Sequence, residues 1–428
     1  MGRGTNHGVM DLVRESNPFV ERYGNLPGQV PSSLGRAVHT TFTRIGTDSR
    51  QRRLTAVLWF VAILFGARDV WVNRHHLNPD GISYMDIGDA YLRGDFANAV
   101  NAHWSPLYPL IVGSVLACLR PSGRWEFAAV HGVNLAIYIG ALCCFHFFLK
   151  ELLRSGRARR AAAQPPARDE FPEWAWLVAG YTFFVWSSVY LVRVASATPD
   201  MTVAAFVYLA CGLLFRIANG SDRWGTFGLV LGLGYLAKAP MFPMASVFLG
   251  SALLLTGRIR KTAPRVLLAL GVFALVAGPF ILALSWKKGR WTFGDSARLN
   301  YVWHVNRSAP FQHWQGRDPR SGVPEHPTRK ILASPAIYEF DGPVGGTFPP
   351  WFDPSYWNEG ATPHFDPRGH VRCLGNSLRV LLSAGVLFFF HRSWFVLGAA
   401  MLAVYLLSLI HISEPTRLLS ISYAVFCL

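Results

Sequence analysis

Acidic residues are scarce in this sequence. Asp and Glu number 25 against 41 Lys and Arg, and charged residues of all types make up only 15% of 428 positions. So little charge, beside a hydrophobic fraction of 51%, excludes an ordinary soluble domain and marks an all-α polytopic membrane protein. The formal net charge of +16 does not point to nucleic acid. Lys and Arg cluster in short loops between apolar runs, as the positive-inside rule requires. Cysteine is sparse too: Cys118, Cys143, Cys144 and Cys211 lie in apolar runs and act as small hydrophobes. Before the final segment only Cys373 sits among polar residues, which excludes a disulfide or zinc framework. No signal-peptide pattern is visible, since polar residues 1–53 precede the first long apolar run.

The apolar runs cover 54–72, 105–119, 127–149, 174–193, 201–217, 225–256, 266–285, 377–390 and 394–406, and Lys238–Pro243 breaks the sixth. Charge decides which of them span. Arg44, Arg50, Arg52 and Arg53 place the N-terminus in the cytoplasm, and the basic stretch 154–160 belongs on the same side. That holds only if 105–119 lies on the outer surface, which its Pro106, Pro109 and short length also favour. Residues 81–93 read as a companion surface helix, with Asp86, Asp89 and Arg93 on one face and Tyr84, Ile87 and Tyr91 on the other. The charged face reads as solvated rather than metal-binding, because Arg93 shares it.

The expected organisation follows. Residues 1–53 form a cytoplasmic, disordered tail; 54–285 a transmembrane core with external surface helices at 81–119; 286–375 an external loop region; and 376–406 further spans, giving about nine spans in all. Leu407–Leu428, which contains SLIHISEPTR and ends ISYAVFCL, matches the translation of sequencing-adapter oligonucleotides. It is read as non-native and set aside from fold reasoning, with later spans expected to be lost.

This topology brings four polar residues to one surface: Asp80, His103, Asp200 and Lys238. Lys238 is the only charged residue between Trp224 and Gly257. It reads either as a side chain snorkelling from a helix end or as a point charge for an anionic headgroup. Asp80, in NPDGISYMDIGDAYLRGD, and Asp200, in ATPD, read as helix caps or as functional carboxylates. His103 reads as a hydrogen-bonded structural residue or a catalyst. Gly228, Gly232 and Gly234 belong to helix packing rather than a nucleotide loop. The loop 286–375 is rich in Trp and Tyr, suited to stacking on a sugar or to an interfacial belt. Its His304, His313, His326, His364 and His370 lack the tight spacing of metal ligands.

Four segments in order, PDGISYMDIGDAYLRG, HWSPLYPLIVG, ATPDMTVAAFVYLA and LGYLAKAPMFP, resemble the integral-membrane GT-C glycosyltransferases. That family includes the protein O-mannosyltransferases and the bacterial aminoarabinose and lipopolysaccharide sugar transferases. The similarity covers about residues 54–285. It implies a GT-C-like helical bundle at the cell inner membrane, with its site facing the periplasm or cell exterior. It also implies inverting transfer of a sugar from a polyprenyl-phosphate donor to a hydroxyl of a lipid, glycan or protein acceptor, with no cofactor. Asp80 matches the family's catalytic carboxylate, a role that suits a carboxylate with a tunable pKa. Lys238 matches the basic residue near the lipid phosphate, Asp200 an acidic position lining the same cavity, and His103 the histidine of the HPPLY-like helix. HWSPLY and AKAP depart from the family's HPPLY and TKGP, so the local turns differ. A transferase role also presumes the natural C-terminus. Two other readings remain: a transporter or flippase whose substrate path these charges line, and a scaffold that binds partners through 286–375.

Overall fold

The computed structural model describes residues 32–162, 172–257, 259–307, 328–332, 337–340 and 362–383. The expected span at 394–406 and the adapter-like tail lie outside them. The chain divides into two compact units, Met1–Leu58 and Trp59–Leu428, and every packing contact described below lies within the second.

Among the described residues the protein is helical apart from one antiparallel hairpin, β1 (Thr328–Leu332) and β2 (Ile337–Phe340). Four segments are long and apolar enough to cross a membrane. They are Gln51–Val72 within α1 (Ser32–Val72), α5 (Gly123–Ala162), α7 (Asp200–Ala218) and α10 (Ile259–Lys288). This is the architecture of an α-helical membrane protein. Helix α1 opens at Ser32, inside the stretch expected to be disordered; Pro31 precedes it and no proline follows until Pro79.

Shorter elements fill the gaps. Helix α6 (Glu173–Trp186) runs into a π-helical turn, Ser187–Val192. Helices α8 (Trp224–Ala237) and α9 (Met241–Leu255) are the two halves of the run broken at Lys238. Helix α8 lies against α10 through small residues: a Cβ on Gly228 would strike the Ala269 backbone, and one on Gly232 the Val276 side chain. At the other end of α7, Arg216 pairs with the buried Glu151 of α5 at 2.9 Å.

A layer of short helices covers one end of this bundle: α2 (Pro79–Leu92), the single turn α3 (Phe96–Ala99) and α4 (Leu107–Leu119). At 13 residues, α4 is about 20 Å long, too short for a hydrocarbon core of about 30 Å. It buries Tyr108 and Val112 against Tyr84 and Ile87 of α2 and Val130 and Val133 of α5. Tyr84, Ile87 and Ala90 of α2 are buried, while Asp89 and Arg93 form an exposed pair at 3.1 Å. Both faces follow the periodicity of the sequence.

The two helices cross where Gly88 meets Gly113, and a Cβ on either would strike backbone of the other helix. Gly88→Val should therefore destabilise the protein by about 1–3 kcal/mol through overpacking, read as a lowered unfolding temperature in detergent. An unchanged temperature would mean that the crossing is looser than described.

Beyond α10 the chain folds back through α11 (Ser296–Asn300) and a π-helical turn, Tyr301–Val305. Helix α12 (Pro367–Ser383) packs on that turn; its Arg372 guanidinium donates to the carbonyls of His304 and Val305, and Tyr301 meets His370 at 2.8 Å. It opens ten residues ahead of the apolar run read from 377. Helical structure thus already occupies both ends of the segment read as a loop.

Candidate functional site

Lys238 is the residue that ends the apolar helix α8, its backbone already extended. Helix α7 has 19 residues and α8, returning beside it, has 14, lengths of about 28 and 21 Å. The five-residue connection 219–223 returns α8 beside α7, which brings the end of α8 to the start of α7. It donates to Asp200 Oδ1 at 2.6 Å, with both side chains about three-quarters buried. The lone cation of this apolar stretch is held by a carboxylate in a charge-assisted bond.

Neither acidic residue is a helix cap. The N-cap positions fall to Pro199 and Asn78, so Asp200 is the first residue of α7 and Asp80 the second of α2. In both sequences proline takes the cap or first-turn position, where its missing N–H costs nothing. The carboxylates then stand in the first turn, favoured by the helix dipole and turned to other partners.

The loop leading into Asp200 is clamped from three elements, and a fourth braces one of the clamps. Asp69 of α1 accepts from the Ala195 N–H at 3.1 Å. Asn78, at the head of α2, accepts from the Ala197 N–H at 2.8 Å and donates to its carbonyl at 3.3 Å. Asn134 of α5 donates to the Ser196 carbonyl at 3.0 Å and accepts from the Tyr108 hydroxyl of α4 at 2.7 Å. These bonds hold a loop that begins with Arg193 at φ 62°, a left-handed conformation that costs energy for a residue with a Cβ. The same contacts bring the head of α2 against the loop: a Cβ on Gly81 would meet the Ala197 side chain. Asp80, half-buried, sits between Asn78 and that contact.

The start of the segment 286–375 closes the other side. The Asp295 N–H donates to the Ala102 carbonyl at 2.7 Å, the Tyr235 hydroxyl to the Phe293 carbonyl at 2.9 Å, and Phe293 stacks on Phe242 with centroids 4.4 Å apart. Asp295 is itself buried, gripped by Arg290 at 2.6 Å and by Lys288 at 3.7 Å. Lys287 adds a tie to α3, donating to the carbonyls of Ala97 and Val100 at 2.6 Å each.

His103 lies between these parts, edge-on to Trp104 at 4.4 Å and beside Trp303 at 5.7 Å. Burial and then the Lys238 ammonium push its imidazole down to about 3, against a smaller upward pull from Asp295. The ring is therefore neutral at pH 7. His103 Nδ1 and Trp303 Nε1 are buried and make no hydrogen bond among the described residues. An unmet buried polar group costs about 1–3 kcal/mol.

The depressed value also carries a stability prediction. The unfolded imidazole takes up a proton near 6.5 and the folded one only near 3. Stability should be fully present above pH 6.5 and fall as pH drops toward 3, by up to about 1.4 kcal/mol per unit. His103→Gln should flatten that part of the profile, read as unfolding temperature against pH. An unaltered slope would mean that the ring titrates normally.

Of the four residues singled out in the sequence, Asp200 and Lys238 touch, His103 lies within the field of Lys238, and Asp80 stands at the head of the helix docked on the Asp200 loop. Asp69, Asn78, Asn134 and Asp295 were not singled out. Asp69 carried a usable signal as a carboxylate inside the apolar run 54–72, and Asp295 another as the sole carboxylate of 286–306. The asparagines carried none. No protein-family model, curated protein or solved structure matches the chain, so the site is read from its own geometry.

Proposed function

We propose that this protein transfers a sugar from a polyprenyl-phosphate donor to an acceptor hydroxyl at the outer face of the cell inner membrane, with inversion. The observation that carries the reading is the Lys238–Asp200 pair, set at the end of the helical bundle beside neutral His103 and under the head of α2. A lipid phosphate bound there would meet a fixed ammonium, which stabilises its charge. Trp303 and His103, each with an unmet ring nitrogen, suit the hydroxyls and apolar face of a sugar.

In the proposed reaction Asp80 takes the acceptor proton as the acceptor oxygen bonds to the anomeric carbon. The bond from that carbon to the phosphate oxygen breaks on the opposite face, and its electron pair leaves with the polyprenyl phosphate. Lys238 meets the charge that develops there. Asp200 keeps the ammonium in position, and His103 orients the donor.

The break at Lys238–Pro240 favours a second reading, because carriers also place half-helices around a charged substrate. One experiment separates the two. Proteoliposomes given labelled donor and a glycan or lipid acceptor should release polyprenyl phosphate together with glycosylated acceptor. Movement of intact donor across the bilayer without release would favour the carrier. The outer-face placement has its own check in a cysteine-free background: Ser122→Cys should react with an impermeant reagent from outside, and Gly156→Cys should be protected. Outside labelling at 156 would reverse the orientation.

A further inference from the structure

Away from the site, α1, with Arg74 just beyond its end, and α5 border an open groove of about 580 Å³. The helices are in contact deeper in the bundle, where the Tyr138 hydroxyl donates to the Ala62 carbonyl at 2.8 Å and its ring fills the space beside Gly66. Toward Val72 they part. Leu64 and Leu135 line the apolar wall, and Gly132 leaves the floor open, with no atom within 4 Å of where its Cβ would stand. Trp71 and Trp125 stand exposed at the rim, as tryptophans do at a membrane interface.

Two cations face this cleft, Arg68 and Arg74. Arg74 lies over the Trp71 ring at 4.4 Å and donates to the Trp71 carbonyl, and neither arginine meets a carboxylate among the described residues. The carboxylate nearest in sequence, Asp69, is occupied by Asn73 and by the Ala195 N–H. Arg68 lies one turn inside a membrane-spanning segment, where an unpaired guanidinium is costly.

We infer that this cleft binds an anionic glycerophospholipid of the bilayer, with one acyl chain along Leu64 and Leu135 and the phosphate between Arg68 and Arg74. Basic pockets between spans recognise anionic headgroups in this way. The apolar floor, the aromatic rim and the uncompensated positive charge each match a part of such a molecule. The site is distinct from the Lys238 region and does not depend on the sugar-transfer reading.

The test is native mass spectrometry of the purified chain in neutral detergent, with equal amounts of phosphatidylglycerol or phosphatidylcholine. Wild type should retain phosphatidylglycerol at least tenfold better. Arg68→Gln combined with Arg74→Gln should remove that preference. Gly132→Leu should lower retention as far, because its side chain starts from open space in the cleft, and its unfolding temperature without lipid should match wild type. Equal retention of the two lipids, or undiminished retention in both variants, would overturn the inference. Displacement of phosphatidylglycerol by stoichiometric polyprenyl phosphate would overturn it too, by assigning the cleft to a substrate.

Discussion

Replacing Asp80 with Asn should lower sugar transfer by about 10²–10⁴-fold, the usual contribution of a positioned general base. The amide keeps the shape of the carboxylate but cannot take the acceptor proton. Asp80 stands in the first turn of α2 and is not its cap, so the helix keeps its cap and loses a first-turn charge worth about 0.3–1 kcal/mol, while the amide retains an oxygen that can accept hydrogen bonds. Expression and unfolding temperature should therefore stay close to wild type. Donor binding should also persist, because Lys238 and Asp200 are untouched, and the loss should fall on turnover rather than on the apparent donor affinity. Undiminished transfer by Asp80→Asn would move the base to another residue.

Asp295→Ala should have the largest structural effect. Its carboxylate is almost completely buried and accepts from Arg290 at 2.6 Å, with the buried Lys288 ammonium 3.7 Å away. Removing it leaves Lys288 buried without its counter-charge, a change that costs about 3–5 kcal/mol. Arg290 is more exposed and can turn to water, so the penalty falls mainly on Lys288. The segment that carries Trp303 over His103 should loosen, read as protease cleavage between 287 and 306 and as a fall in unfolding temperature. Adding Lys288→Met should recover much of the loss, since it removes the stranded charge. A double variant no better than Asp295→Ala would show that Asp295 acts through its other contacts.

Those two residues differ in how far the sequence announced them. Asp80 stands in a short acidic motif directly after a span, and its neighbours repeat with helical period, so its element was legible. Lys238 was legible for a different reason: a lone charge in an apolar stretch has few innocent explanations. Its partner was not, because Asp200 lies 38 residues away and only the packing of α7 against α8 brings the ammonium to it. Asp295 was hidden in a segment rich in aromatics and lacking apolar period, which reads as a loop. Its burial depends on contacts with Ala102 and α10 that no local pattern encodes.

The spans show the same division. Runs such as 201–217 and 266–285 are long and apolar, and their helices appear where hydropathy puts them, even with Pro279 inside the second. The clamp on the Asp200 loop was invisible, since Asn78 and Asn134 are ordinary polar residues until the fold brings backbone groups to them. Hydrophobic period places elements; hydrogen bonds between distant elements place the site.

The central claim is that a lipid-phosphate sugar is consumed at Lys238. Its most direct test follows a radiolabelled polyprenyl-phosphate sugar incubated with wild-type protein and with Lys238→Met in the same bilayer. Wild type should release free polyprenyl phosphate with the sugar transferred at inverted configuration, and Lys238→Met should slow that release by at least about 10²-fold. Release at equal rates from both proteins, or intact donor after incubation with wild type, would contradict the account.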